Sequence, residues 1–363
     1  MKQDRKTRKA NRKKKNFWQR NFPCKGDRPA DVILKLLILA AICVVIVCAW
    51  VIADKMFIQG YRYEKDMDSL RDIYSGTLKP AQSETSEEEP AESTVEEPKE
   101  PDEDRAAKFA RLREINPDIK GWLYIPNTKV DYPVLQSDSS DPEYYLYRDY
   151  HGNYNSHGSL FIDGHSAQGT QSKNIVIHGH HMNDGSMFKG IMSYDNLDFY
   201  KQNPVITLDT PEGLGYWKVF AVLKISTLPE HGESFGYIRS DFSDDNDFLN
   251  FVYQIELRSM LKTPVDINED DQLMMLSTCS YELKDYRTVV VARKVREGED
   301  VSVDVSKAHQ AGQPLQSDGW YRRYGGSAPE VTDFQTALEN GQIDWYTPPV
   351  QQEGAEESEA TGE

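Results

Sequence analysis

The stretch Gln272–Val295, QLMMLSTCSYELKDYRTVVVARKV, decides how the rest of the chain is read. Two apolar, strand-forming runs, Gln272–Thr278 and Arg287–Val295, flank a polar interval that begins Ser280-Tyr281-Glu282. Runs of this length bounded by turn residues read as strands, and so short a return makes them antiparallel neighbours. Cys279 ends the first strand and Arg287 opens the second, so the hairpin brings a guanidinium back beside a thiol. A strand end fixes the backbone while leaving the sulfur reachable, which suits a nucleophile. The plainer readings of such a cysteine are a buried small apolar side chain or an intermolecular disulfide.

Outward from this hairpin the chain continues in β-rich runs broken by turn residues. They are Trp122–Ile125, Val130–Val134, Ser159–Ile162, Asn174–His178, Val205–Leu208 and Tyr216–Thr227. With the hairpin they make eight strands and few helices, which predicts a closed or nearly closed barrel rather than a doubly wound sheet. A helix over Arg105–Ile115, with Phe109, Leu112 and Ile115 on one side, stops at Asn116-Pro117. A second helix is expected over 244–261, DDNDFLNFVYQIELRSML, between the sixth and seventh strands.

A nucleophilic thiol needs a proton-transfer partner and a group to stabilise an oxyanion. Histidines crowd at Asn174–Met182, NIVIHGHHM, where His180 and His181 follow a strand and His178 shares a face with His180 in an extended chain. Two such histidines could also be zinc ligands, but a third and fourth ligand beyond His181 and Cys279 are not evident. Arg287, always charged and presenting a fork of donors, suits an oxyanion; its other reading is a solvated strand-end charge.

The charge of the whole chain, −17 over 363 residues, is unevenly spread. It is +9 for residues 1–31, +1 for 32–81, −10 for 82–104, −7 for 105–297 and −10 for 298–363. An acid excess with no basic face on the folded part excludes a nucleic-acid binder. Residues 1–31 form a basic segment, and 32–53, VILKLLILAAICVVIVCAWVIA, form an expected transmembrane helix with one charge, Lys35. The basic flank orients it with the N-terminus in the cytoplasm and everything after residue 54 outside. A cleaved signal peptide is the rival, and the length of the apolar run argues against it. Residues 54–104 are a juxtamembrane stretch and an acidic, Pro-punctuated linker that cannot bury enough apolar surface to fold. Residues 298–363 read as an extension of unknown role, with local structure expected over Gly319–Gly326 and Asp333–Ile343, ending in an acidic tail. With this topology Cys24 is cytoplasmic, Cys43 and Cys48 lie in the span, and Cys279 alone among the four cysteines faces the exterior.

Taken together, these residues resemble the sortases, membrane-anchored cysteine transpeptidases of Gram-positive bacteria. Met275-Leu276-Ser277-Thr278-Cys279 is similar to the family's T-L-x-T-C, with Met at the first position, and Arg287 matches the arginine of the next strand. Gly179-His180 matches the family's Gly-His and selects His180 over His178 and His181. The resemblance is greatest to class B, which carries helices where 105–115 and 244–261 lie, and whose motif is similar to Ile177–Phe188, IHGHHMNDGSMF. The Asp-Pro-aromatic lid of class C has no match, because Asp141-Pro142 is followed by Glu143.

The resemblance implies an eight-stranded sortase-type β-barrel over 105–297 with Cys279, His180 and Arg287 as its catalytic residues. Ser277, Thr278, Tyr281 and His181 are expected at the substrate, and no metal or organic cofactor is implied. The implied partners are secreted proteins with a C-terminal sorting motif, Asn-Pro-x-Thr-like or Leu-Pro-x-Thr-like, and a peptidoglycan precursor amine. A pilin lysine as the amine, a membrane-tethered binding protein with an inert barrel, and a zinc hydrolase are the alternatives.

Overall fold

The computed structural model describes residues 16–54, 58–76, 102–137 and 141–349. Most of the basic run, nearly all of the acidic linker and the acidic tail lie outside the described residues. The chain divides into two units, Met1–Glu64 and Lys65–Glu363.

In the first unit a short helix, α1 (Phe17–Asn21), precedes α2 (Pro29–Ala53). Proline opens α2, where its fixed φ fits and its missing N–H is not needed. Twenty-five residues span about 37 Å at the rise of an α-helix, and no side chain of α2 is buried. It is long and apolar enough to cross a membrane. Lys35 donates to Asp27 Oδ2 at 2.6 Å and to the Phe22 carbonyl at 3.1 Å, so the cation within the apolar run is held against a carboxylate at its start. Helix α3 (Gln59–Tyr74) begins in this unit and ends in the next.

The second unit is built on a closed barrel of eight strands, as the sequence predicts. They are β1 (Ile119–Tyr124), β2 (Asp131–Leu135), β3 (Leu160–Ile162), β4 (Asn174–His178), β5 (Val205–Thr210), β6 (Gly213–Ser226), β8 (Leu273–Ser280) and β9 (Tyr286–Lys294). Around the barrel the order is β1-β2-β3-β4-β8-β9-β6-β5. The β2–β3 and β4–β8 pairs are parallel and the rest antiparallel. A two-stranded ribbon, β7 (Leu261–Lys262) with β10 (His309–Gln310), lies outside it.

Helix α4 (Asp102–Ile115) buries Phe109 and Leu112, two of the three periodic residues of the predicted helix, and half-buries the third, Ile115. It meets the barrel over a polar cluster. Asp209 Oδ1 accepts from Arg105 Nε at 3.1 Å, and Oδ2 accepts from Tyr74 Oη at 2.8 Å and Lys108 Nζ at 3.3 Å. The Tyr74 ring stacks on Trp122 at 4.3 Å. Asp209 and Lys108 are both buried. Removing one member of a buried ion pair leaves the other charge uncompensated, so Asp209→Ala should destabilise the protein by about 3–5 kcal/mol. Urea unfolding followed by tryptophan fluorescence checks this; a loss under about 1 kcal/mol, the scale of an exposed pair, contradicts it.

The second predicted helix is α6 (Asp245–Arg258), with α5 (Leu197–Gln202) earlier in the chain. Asp244 caps α6 by accepting from the Asp247 amide. The expectation of helix as far as 261 fails at Ser259, which is buried with its hydroxyl accepting from the Val222 amide at 3.1 Å, and the chain turns into β7. Phe248, Phe251, Val252 and Ile255 of α6 pack on Leu223, Ile225, Met275 and Val289 of the barrel wall. Phe334, Ala337 and Trp345 join the same cluster. Part of the segment 298–349 therefore packs on the barrel, with helices α7 (Asp318–Tyr324) and α8 (Phe334–Glu339).

Candidate active site

Strand β8 runs two residues past its apolar run, because Cys279 and Ser280 still pair with Arg287 and Tyr286 of β9. The thiol thus sits within the ladder rather than beyond its end. Directly paired residues project to the same face of a sheet. Arg287 Nη1 accordingly donates to Cys279 Sγ at 2.7 Å.

On its other edge β8 pairs with β4, His178 opposite Ser277. The contact continues beyond β4, since the Gly179 amide donates to the Ser277 carbonyl at 3.1 Å and Thr278 Oγ1 donates to the Gly179 carbonyl at 2.7 Å. A Cβ on Gly179 would lie 2.5 Å from Leu160 Cδ2 and 2.7 Å from Phe188 Cδ2, so only glycine fits between the barrel wall and the turn. This close approach is the physical reason for glycine before His180. It delivers His180 and His181 to the rim that carries Cys279.

The His180 ring is fixed by the Leu146 carbonyl, 2.7 Å from Nε2. A carbonyl only accepts, so Nε2 carries the proton and Nδ1 keeps its lone pair. Tyr147 packs over the ring with centroids 5.2 Å apart. Burial lowers the His180 pKa below its ordinary 6.5; the nearby His157 and Arg287 push the same way and the Leu146 carbonyl opposes them. Between this lowered value and 6.5 the unfolded chain binds more protons than the folded one, so His180's contribution to stability diminishes as pH falls through that window. An NMR titration of the His180 imidazole in Cys279→Ala should give a midpoint below 6.5, and a midpoint at or above it contradicts this reading.

His181 is held at both nitrogens. Nδ1 donates to the Cys279 carbonyl at 2.9 Å and Nε2 accepts from Lys189 Nζ at 2.9 Å, while its ring meets Tyr281 at 4.9 Å. It braces the backbone of Cys279 rather than offering a free proton-transfer atom. His178 goes elsewhere: its Nε2 donates to Asp163 Oδ2 at 2.8 Å. Burial would raise the Asp163 pKa, but hydrogen bonds from His178 and His165 outweigh it and hold the carboxyl at about 2. His178 and His180 therefore have different partners and do not act as a pair. Among the described residues no group of three or more His, Cys, Asp or Glu side chains is set to hold a metal ion.

The expected substrate contacts divide. Ser277 and Thr278 are only 1% and 2% exposed, and their hydroxyls are used inside the protein. Ser277 Oγ lies 2.8 Å from Tyr237 Oη, and Thr278 Oγ1 donates to the Gly179 carbonyl at 2.7 Å. Tyr281, 71% exposed on the turn after Cys279, is open to one.

Three contributors have no sequence signal of their own. The Leu146 carbonyl acts through its backbone, and Tyr237 reaches Ser277 from the loop after β6. The third is Lys224, buried on the face opposite Cys279. Its Nζ donates to Asp195 Oδ2 at 2.6 Å and Thr288 Oγ1 at 2.8 Å, and is paired with Glu282 Oε1 at 2.7 Å. It braces the hairpin from within, since Glu282 lies in the β8–β9 turn and Thr288 adjoins Arg287. Lys224 holds the Glu282 carboxyl below its usual range against the opposing effect of burial.

The rim of this closed barrel brings together a thiol, a guanidinium and an imidazole, the kinds of group that thiol-based acyl transfer requires. Residues 123–295 match the family model for the sortase domain. Sortase B of Staphylococcus aureus is 31% identical over 191 residues, covering 52% of this chain and 75% of that protein. Sortase B of Listeria monocytogenes serovar 1/2a is 35% identical over 177 residues, 48% of this chain and 68% of that protein. The crystal structure of sortase B from B. anthracis in complex with AAEK1 superposes with a TM-score of 0.52 at 29% identity, covering 66% of this chain and all of that one. The chain belongs to the sortase family and is most similar to its class B members. These relatives do not favour the pilin-polymerising alternative or an inert barrel.

Proposed function

We propose that Cys279, Arg287 and His180 are the catalytic residues, and that they transfer secreted proteins bearing a C-terminal sorting motif to a peptidoglycan precursor amine. The observation that carries this reading is the 2.7 Å approach of Arg287 Nη1 to Cys279 Sγ, at the rim where His180 keeps Nδ1 available. The thiolate is the nucleophile of cysteine chemistry, and the guanidinium is the counter-charge against which it forms.

The Cys279 sulfur attacks the carbonyl carbon that precedes the scissile bond, and the carbonyl π electrons move on to oxygen. Arg287 donates to that oxyanion through its fork. When the intermediate collapses the C–N bond breaks, His180 in its protonated form gives a proton to the leaving amine, and a thioester to Cys279 remains. An acceptor amine then attacks the thioester, neutral His180 takes its proton, and the thiolate leaves. Tyr281, exposed beside the thiol, contacts substrate, and His181 holds the Cys279 backbone.

The topology completes the proposal. The basic residues ahead of α2 keep the N-terminus in the cytoplasm, α2 anchors the chain in the plasma membrane, and the acidic 82–104 segment tethers the barrel on the outer face. The similarity to class B favours Asn-Pro-x-Thr-like over Leu-Pro-x-Thr-like motifs. The test is to incubate the full chain in detergent with a panel of both peptides and measure intact mass. Cleavage with an acyl adduct on Cys279, discharged by an added amine, supports the proposal; cleavage without an adduct overturns it.

A further inference from the structure

We propose that helix α7, which lies beyond the matched family domain, is a positioning element that clamps the β8–β9 turn and so keeps Arg287 against the Cys279 thiol. The inference rests on the roles just proposed for Cys279 and Arg287.

Tyr286 is the point of attachment. It immediately precedes Arg287, pairs with Ser280 next to Cys279, and is fully buried. Its hydroxyl meets Ser317 Oγ, the N-cap of α7, and its ring is stacked by Trp320 with centroids 6.1 Å apart and planes 26° apart. One turn further along α7, Tyr324 Oη donates to the Glu282 carbonyl at 2.9 Å. The helix thus holds the turn at Glu282 and the first residue of β9.

The same helix is anchored away from the hairpin. Arg322 Nη2 donates to the Glu230 carbonyl at 2.6 Å. A Cβ on Gly319 would lie 2.8 Å from the His231 ring, so the absent side chain is what lets α7 seat there. His231 Nδ1 lies 2.7 Å from Ser226 Oγ, and Ser226 pairs with Tyr286 across β6 and β9. Both sides of α7 converge on the residue before Arg287.

The turn also needs holding. Asp285, immediately before Tyr286, sits at φ 52°, a conformation unfavourable for a residue with a side chain and retained only where surrounding contacts enforce it. Tyr286 and Thr288 lie on one face of β9, opposite Arg287; Lys224 holds Glu282 and Thr288, and α7 holds Glu282 and Tyr286. A strand end gripped at both residues that flank Arg287 gives the guanidinium one position relative to the sulfur.

The experiment uses the full-length protein in detergent with a cleavable sorting-motif peptide and an amine acceptor. Trp320→Ala should lower kcat about 10-fold with KM changed less than about 2-fold, the pattern of a displaced catalytic group rather than lost binding. Alkylation of Cys279 by iodoacetamide at fixed pH should slow in step, because the sulfur loses its steady cationic neighbour. Trp320→Phe keeps a ring on Tyr286 and should restore most of both rates. Tyr324→Phe removes one hydroxyl without opening a cavity, and a kcat loss of roughly 2- to 3-fold is expected of it. Should Trp320→Ala not fold, Tyr324→Phe decides alone: parental kcat and alkylation would overturn the role of α7. A raised KM with unchanged kcat in Trp320→Ala would overturn it too, making α7 a wall of the substrate site. Either result beside an inactive Cys279→Ala removes only this inference, whereas an active Cys279→Ala removes the catalytic assignment beneath it.

Discussion

Cys279→Ala should abolish sorting-motif cleavage and thioester formation together, with turnover falling by at least about 10⁴-fold. The size follows from the chemistry. Without the sulfur no acyl-enzyme forms, and the barrel retains only a guanidinium and an imidazole to assist direct attack by water or amine. A control separates chemistry from folding. Cys279 is half-buried in a ladder whose backbone bonds do not use its side chain, so the alanine variant should unfold within about 1 kcal/mol of the parent, as a small substitution outside the packed core does. A Cys279→Ala protein that cleaved peptide at the parental rate would overturn the mechanism. A variant that lost activity only because it no longer folded would be exposed by its denaturation curve.

The hairpin that carries this prediction was legible because a local pattern encodes it. Two apolar runs and a short polar return admit one pairing, and that pairing sets Cys279 opposite Arg287. Barrel closure was legible for the same reason, since eight strand-length runs leave too few helices to cover a doubly wound sheet. The last residues of β8 were missed because Cys279 and Ser280 are held by backbone pairing, which their polarity conceals. Ser277 and Thr278 were expected at the substrate, with strand packing the other reading of Ser277; that Tyr237 and the Gly179 carbonyl bond their hydroxyls internally depends on contacts distant in sequence. Leu146 acts on His180 through a backbone oxygen, which every residue possesses and no motif marks. Helix α7 was legible only as local structure over Gly319–Gly326, because seven residues with two glycines at and after its end carry little periodicity. What fixes it is the fit of Trp320 and Gly319 against residues far away in sequence, the kind of contact a linear pattern does not record.

Arg287→Ala should lower kcat by about 10²–10³-fold, near 2.7–4 kcal/mol of transition-state stabilisation, the usual cost of losing one oxyanion donor. The direct loss is the donor to the oxyanion. A second loss adds to it, since Nη1 also faces the sulfur and its removal takes away the counter-charge for the thiolate. The two can be separated by substitution. Arg287→Lys keeps a positive charge near sulfur but replaces a rigid fork with a single flexible ammonium. It should therefore preserve much of the iodoacetamide reactivity of Cys279 while recovering little of kcat, whereas Arg287→Ala should depress both. If lysine restored kcat as fully as alkylation, the charge alone would be sufficient and the fork irrelevant. If Arg287→Ala left kcat within about 2-fold of the parent, a factor outside the range for a lost oxyanion donor, the oxyanion would have to be stabilised by another group. The geometry argues against that outcome, because Arg287 is the in-register cross-strand partner of Cys279 and both residues that flank it are held, Thr288 by Lys224 and Tyr286 by Trp320.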